Sequence, residues 1–193
     1  MDYPILTTAR LLLRQFGTRD IDDIVRLAGD FAIADTTLMI PHPYERIHAE
    51  QWLATHRPKF ESGEQVALAI TDLKTGQLIG AVGLSISARF DRAELGYWIG
   101  KPFWGRGYCT EASRAVVNWG FPTFNLNRIF AAHLKRNPAS GRVMQKLGMI
   151  HEGEFRQHVK KWDRYENMIV YGILRSEWAR NATSGRQEDP TAS

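Results

Sequence analysis

Along residues 93–99 the chain alternates. Leu95, Tyr97 and Ile99 fall on one side and Glu94, Gly96 and Trp98 on the other, the two-residue period of a strand with both faces occupied. Gly100 and Pro102 end it. Beyond Gly105 and Gly107 the period changes. Tyr108, Ala112, Ala115, Val116 and Trp119 recur at i, i+4, i+7, i+8 and i+11, the apolar stripe of an amphipathic helix. The local order is therefore strand, glycine-bearing loop, helix.

The same patterns predict the other elements. Residues 11–16 form a first strand, and Asp20 opens a helix through Ile21, Ile24 and Leu27. Residues 31–44 form a loop or a broken short helix. One helix is expected over 45–60, with Ala49, Trp52, Leu53, His56 and Phe60 on one face. Strands at 65–71 and 78–85 are joined by a Gly76 turn. A strand over 128–134 is followed by a short helix that Asn137-Pro138 starts and Gly148 ends. Two last strands lie near 150–158 and 166–174. Residues 1–178 are expected to form one domain, and residues 179–193, poor in apolar side chains, a mobile tail.

Composition narrows the classes. With 44% hydrophobic and 24% charged residues, the chain has the make-up of an ordinary soluble domain. No apolar run is long enough to span a bilayer, so no membrane role is expected. The single cysteine, Cys109, excludes an internal disulfide framework and fits a reducing, cytoplasmic location. A net charge of +4 suits an anionic ligand. Lys and Arg are scattered, and Trp52, Trp104 and Trp119 lie in no basic stripe, so no direct nucleic-acid contact is expected. Nothing fixes the oligomeric state, and a homodimer stays open.

The loop is the first candidate site. A helix N-terminus has free N–H groups and partial positive charge, and glycines beside Arg106 let an anion approach the backbone. Thr110 stands where a dinucleotide fingerprint needs its third glycine, and the Lys-Ser/Thr of a Walker loop is missing. An anion cradle of another type, or a plain tight turn, remains.

The stretch Gly96-Tyr-Trp-Ile-Gly-Lys-Pro-Phe-Trp-Gly-Arg-Gly-Tyr-Cys-Thr-Glu-Ala112 resembles the acetyl-CoA signature of the GNAT N-acetyltransferases. It is most similar to the RimJ/RimL-like branch, which acetylates N-termini of ribosomal proteins. A second block agrees: Asn137, Ser140, Lys146 and Gly148, then Glu152-Gly153, resemble that branch's Asn-x-x-Ser … Lys-x-Gly-Phe … Glu-Gly pattern, and Thr8-Ala-Arg10 also fits. The resemblance implies an α/β GNAT fold: a central mixed, splayed sheet of about six to seven strands with helices on both faces. It implies acetyl-CoA as co-substrate, no metal, and transfer of acetyl to a primary amine, foremost the N-terminal α-amine of a protein or peptide. A small-molecule amine acceptor and a catalytically silent acyl-CoA-binding module are the alternatives.

Carried onto this sequence, the resemblance implies that Trp98 and Ile99 hold the pantetheine and thioester through their backbone. It implies a pyrophosphate cradle of Phe103, Trp104, Gly105, Arg106, Gly107, Tyr108, Cys109 and Thr110, with Asn137 bonding the pantetheine arm. Ser140 matches a serine that serves as the acid toward the leaving thiolate, and a helix cap is its other reading. Glu94 is either a general base acting through water or an ion-paired strand glutamate. Met144 stands where many GNAT enzymes carry a tyrosine acid, and Val159 where the branch can carry a glutamate. His133 or His158 are the candidates to stand in. A covalent route through Cys109 is a further option, because a helix N-terminus can lower a thiol pKa. Trp162 and Tyr165 either line the acceptor mouth or pack on the surface.

Overall fold

A computed structural model describes residues 2–184. Its strands are β1 (Leu6–Thr7), β2 (Leu11–Gln15), β3 (Gln65–Asp72), β4 (Leu78–Ser87), β5 (Arg92–Ile99), β6 (Arg128–Leu134), β7 (Ile150–Lys161) and β8 (Arg164–Leu174). They join one sheet in the order β1-β2-β3-β4-β5-β6-β8-β7. That is one strand more than expected, because β1 has only two residues, too few to show alternation.

All neighbours are antiparallel except β5 and β6. These two pair in parallel at three positions only, Arg92 with Arg128, Ala93 with Ile129 and Glu94 with Phe130. From Leu95 onward the β6-facing edge of β5 has no strand partner among the described residues. This is the splay that the resemblance implied.

The helices are α1 (Ile21–Ala28), α2 (Phe31–Thr36), α3 (Arg46–Ala54), α4 (His56–Glu61), α5 (Tyr108–Thr123), α6 (Pro138–Lys146) and α7 (Arg175–Ser184). They divide between the two faces of the sheet. On one face Leu95, Ile99, Leu84 and Ile129 pack against Ala112, Val116 and Phe121 of α5 and Met144 of α6. On the other, Ala69, Leu78 and Ala81 pack against Ile24 and Leu27 of α1 and Ala49 of α3, with Trp98 at the margin. The alternation of β5 sets this division: Ala93, Leu95 and Ile99 are buried, and Glu94 and Gly96 are exposed.

Two expectations need correction. The helix expected over 45–60 is two helices that meet at Thr55. Pro58 has no N–H and crowds the carbonyl four residues before it, that of Ala54, where α3 ends. The Thr55 hydroxyl and amide both donate to the Trp52 carbonyl, at 2.7 and 3.1 Å, and close the end of α3. The expected tail begins inside α7, which runs to Ser184 and stacks Trp178 on Phe121 with ring centroids 5.0 Å apart. Residues 185–193 of that tail lie outside the described residues.

Candidate active site

The cradle is built from two strained turns and a helix start. Gly105 and Gly107 have φ of 75° and 79°, the left-handed region that penalises any side chain. Gly107 is the N-cap of α5, and no described side chain caps that helix. The amides of Tyr108, Cys109 and Thr110 therefore lack intrahelical acceptors.

A cβ at Gly105 would meet nothing within 4 Å, so the outer side of the turn is open. The β1–β2 turn holds the loop from behind. Arg10 donates to the Arg106 carbonyl at 3.0 Å and to Glu111 Oε2 at 2.7 Å, and lies 4.7 Å over the Tyr108 ring. Thr8 donates to Glu111 Oε1 at 2.6 Å. Burial works against the Glu111 carboxylate, yet these bonds hold its pKa below the usual range. A groove of about 520 Å³ leads from Gly107 and Thr110 to the basic Arg114 and Lys146.

Gly107→Val puts a branched side chain at a positive φ, with its Cβ 3.5 Å from the Arg10 guanidinium that holds the loop, so it distorts the helix start that offers the free amides. It should weaken CoA binding at least tenfold, measured by calorimetry on a protein whose circular dichroism shows it folded. Unchanged affinity would remove the cradle from the binding site.

The second half of the site is the splay. Asn137 caps α6, its Oδ1 accepting from the Ser140 amide at 3.4 Å. Ser140 is therefore not the cap, and its hydroxyl turns to β5, where the Tyr97 phenol lies 2.9 Å from Ser140 Oγ. Tyr97 escaped the sequence reading because it sits on the apolar side of the alternation and its partner is 43 residues away. Trp98 and Ile99 are at the open edge, but the Ile99 carbonyl is occupied by the Trp104 indole at 2.6 Å. A carbonyl oxygen has two lone pairs, so the indole takes one of the acceptor positions there.

Glu94 points from the other face of β5, the face of Gly96 and Trp98. Its carboxylate has no hydrogen bond or ion pair among the described residues, and Arg92 acts on it only as a nearby charge, so it is not the paired strand glutamate of the alternative reading. Solvent reaches the side chain, yet neighbouring atoms desolvate the carboxyl and push its pKa up, against a smaller lowering by Arg92. Beside it a Cβ on Gly96 would meet nothing within 4 Å, leaving bare backbone and open space next to the carboxylate. Glu94 and Ser140 therefore approach β5 from opposite faces.

The stand-in groups lie in less suitable places. Burial pushes the Cys109 thiol up to about 12, against a smaller lowering by Ser113, which speaks against the optional covalent route. His133 is buried with Nδ1 2.8 Å from the Leu134 carbonyl, and its Nε2 lies 2.7 Å from where a Gly141 Cβ would be. It fills the space beneath α6. His158 is exposed on β7, with its ring 5.0 Å from Phe155. Met144 is buried in the core. Val159 faces Glu166 across the β7–β8 ladder, and Arg136 binds that glutamate at 2.8 Å.

A second set of contacts fastens the β7–β8 hairpin to the first third of the chain. Arg136 also binds Asp35 of α2 at 2.5 Å. Lys161 donates to the carbonyls of Leu38 at 3.2 Å and Ile40 at 3.0 Å. Trp162 stacks on Phe31, ring centroids 6.0 Å apart, while Tyr165 stays exposed. The β7–β8 hairpin is thereby tied to α2 and the segment after it. Among the described residues no group of His, Cys, Asp and Glu is placed to hold a metal ion, and no helix is long and apolar enough to cross a membrane.

Comparison with known proteins gives a consistent result. Residues 10–150 match the family described as Acetyltransferase (GNAT) domain. The uncharacterised N-acetyltransferase p20 of Bacillus licheniformis is 28% identical over 176 residues, 90% of this chain and 98% of that protein. The ribosomal protein uS5-alanine N-acetyltransferase of Escherichia coli is 25% identical over 90% of this chain and 92% of that protein. Spermidine N-acetyltransferase from Vibrio cholerae, solved with CoA and spermine, superposes with a TM-score of 0.76 at 21% identity, over 89% of this chain and 99% of that one.

Proposed function

The chain belongs to the GNAT family and is an acetyl-CoA-dependent N-acetyltransferase, and on that premise we propose that its acceptor is the N-terminal α-amine of a protein or peptide. The observation that carries this reading is Glu94, a lone carboxylate beside open backbone with a raised pKa. An α-amine with a pKa near 7.7–8.0 is neutral in roughly one molecule in ten at pH 7, and a lysine near 10.4 in fewer than one in a thousand. A single, moderately basic carboxylate acting through water suits the first amine better. Similarity to the uS5-alanine enzyme over most of the chain supports the same choice.

Acetyl-CoA supplies an activated acetyl group as a thioester. The residues present fit it: free amides at an open, glycine-bearing helix start suit a pyrophosphate, and Arg114 and Lys146 add positive charge along the groove. In the proposed mechanism Tyr108, Cys109 and Thr110 amides hold the pyrophosphate. The open edge of β5 at Trp98 and the Asn137 amide hold the pantetheine arm. Glu94 takes the amine's proton through water, and Ser140 gives a hydrogen bond to the departing sulfur.

The test is thiol release from acetyl-CoA across a panel of N-terminal peptides, spermidine and aminoglycosides. At least tenfold higher kcat/KM for peptides is expected. A preference for spermidine or an aminoglycoside would overturn the acceptor class.

A further inference from the structure

The Ser140 hydroxyl has one described partner, the Tyr97 phenol, which lies 2.9 Å from Ser140 Oγ and 3.1 Å from the Ser140 carbonyl oxygen. The carbonyl can only accept, so the single phenol proton either goes to it, with Ser140 Oγ then donating to the phenol, or is shared with Oγ. When Oγ shares that proton, the serine's own proton is left for a third atom. We propose that Tyr97 is a positioning residue for acetyl transfer: by donating to Ser140 it aims the Ser140 hydroxyl proton at the departing sulfur. This rests on the reading of Ser140 given above.

Three features set the pair apart from ordinary packing. β5 has left β6 by Leu95, so Tyr97 stands on the open stretch, and its hydroxyl reaches from strand to helix across the site. Asn137 already serves the Ser140 amide, which frees the Ser140 side chain from capping. Met144, one turn further along α6, is buried and has no proton to give. Desolvation also raises the phenol pKa well above its ordinary value, so Tyr97 remains a donor at any working pH.

In the step concerned, the amine nitrogen bonds to the acetyl carbon, the carbon–sulfur bond breaks, and its electron pair leaves on sulfur. The surplus proton on nitrogen passes through water to the Glu94 carboxylate. Ser140 keeps its proton and hydrogen-bonds the thiolate, which takes a proton from water after release. A thiol of pKa ~8.5 needs no stronger acid.

The experiment is a double-mutant cycle in single-turnover acetyl transfer, run with whichever amine supports thiol release. It compares wild type, Tyr97→Phe, Ser140→Ala and the double variant, with CoA affinity and melting temperature measured alongside. Tyr97→Phe keeps the ring that packs on the core. Each single change should slow the chemical step about tenfold or less at unchanged CoA affinity, and the double variant should be no slower than Ser140→Ala.

Wild-type or faster transfer by Tyr97→Phe, with Ser140→Ala slow, would overturn the role of Tyr97 and leave that of Ser140 intact. A further loss on adding Tyr97→Phe to Ser140→Ala would mean that Tyr97 does not act through the serine. Weakened CoA binding as the sole effect would make it a packing residue. Wild-type transfer by Ser140→Ala would remove both roles.

Discussion

Glu94→Gln lowers kcat about 10²-fold, the scale of general-base catalysis, and leaves CoA affinity unchanged. The amide has nearly the shape of the carboxylate but cannot take a proton, and Glu94 makes no bond among the described residues that the change would break. The base works only when deprotonated, so activity in the wild type must fall as pH drops through the Glu94 pKa. Desolvation raises that pKa, so the acidic limb lies above the ordinary carboxylate range. In Glu94→Gln the limb disappears. Steady-state kinetics across pH, with CoA binding measured separately, make the check. Wild-type kcat with an unchanged limb would make Glu94 a structural strand residue.

The second large effect concerns stability in acid. His56 is buried between Phe16 and Trp52, and neither ring nitrogen has a hydrogen-bond partner among the described residues. Burial, helped by the charge of Lys59, lowers its pKa from 6.5 to about 4. Between those values the unfolded chain binds a proton that the folded chain does not, so stability is lost as pH falls through the window and nothing is lost above it. A shift of that size corresponds to about 3 kcal/mol across the window. His56→Phe, which keeps an aromatic ring against Trp52, should flatten this limb. Urea unfolding at pH 7 and pH 4.5 measures it, and equal slopes for both proteins would show that His56 takes up its proton while folded.

What could be read from the chain was local. The alternation of β5 and the stripe of α5 are one-dimensional patterns, and the structure keeps both. The glycines at 105 and 107 announced a turn that only they can make, and both sit at positive φ. Pairings through space were not legible. Arg10 and Glu111 are 101 residues apart, and nothing near either one names the other. Tyr97 looked like core because its ring packs on the core, and only its hydroxyl reaches Ser140. For Cys109 a covalent route stayed open as an option, because a helix N-terminus is visible in sequence and desolvation is not. The break at Thr55 was written in Pro58, but the helical period across it hid the signal.

The attachment of α2 to the β7–β8 hairpin also bears on how the chain assembles. Its fastenings join residues 101 apart, Asp35 to Arg136, and 123 apart, Leu38 to Lys161. Contacts of such separation form late, because a long loop must close before they return any free energy. The hairpin carrying Lys161 is also synthesised after the turn between β5 and α5. A nascent chain can therefore complete the glycine-bearing turn before α5 while the side that α2 and the hairpin later close together still lies open.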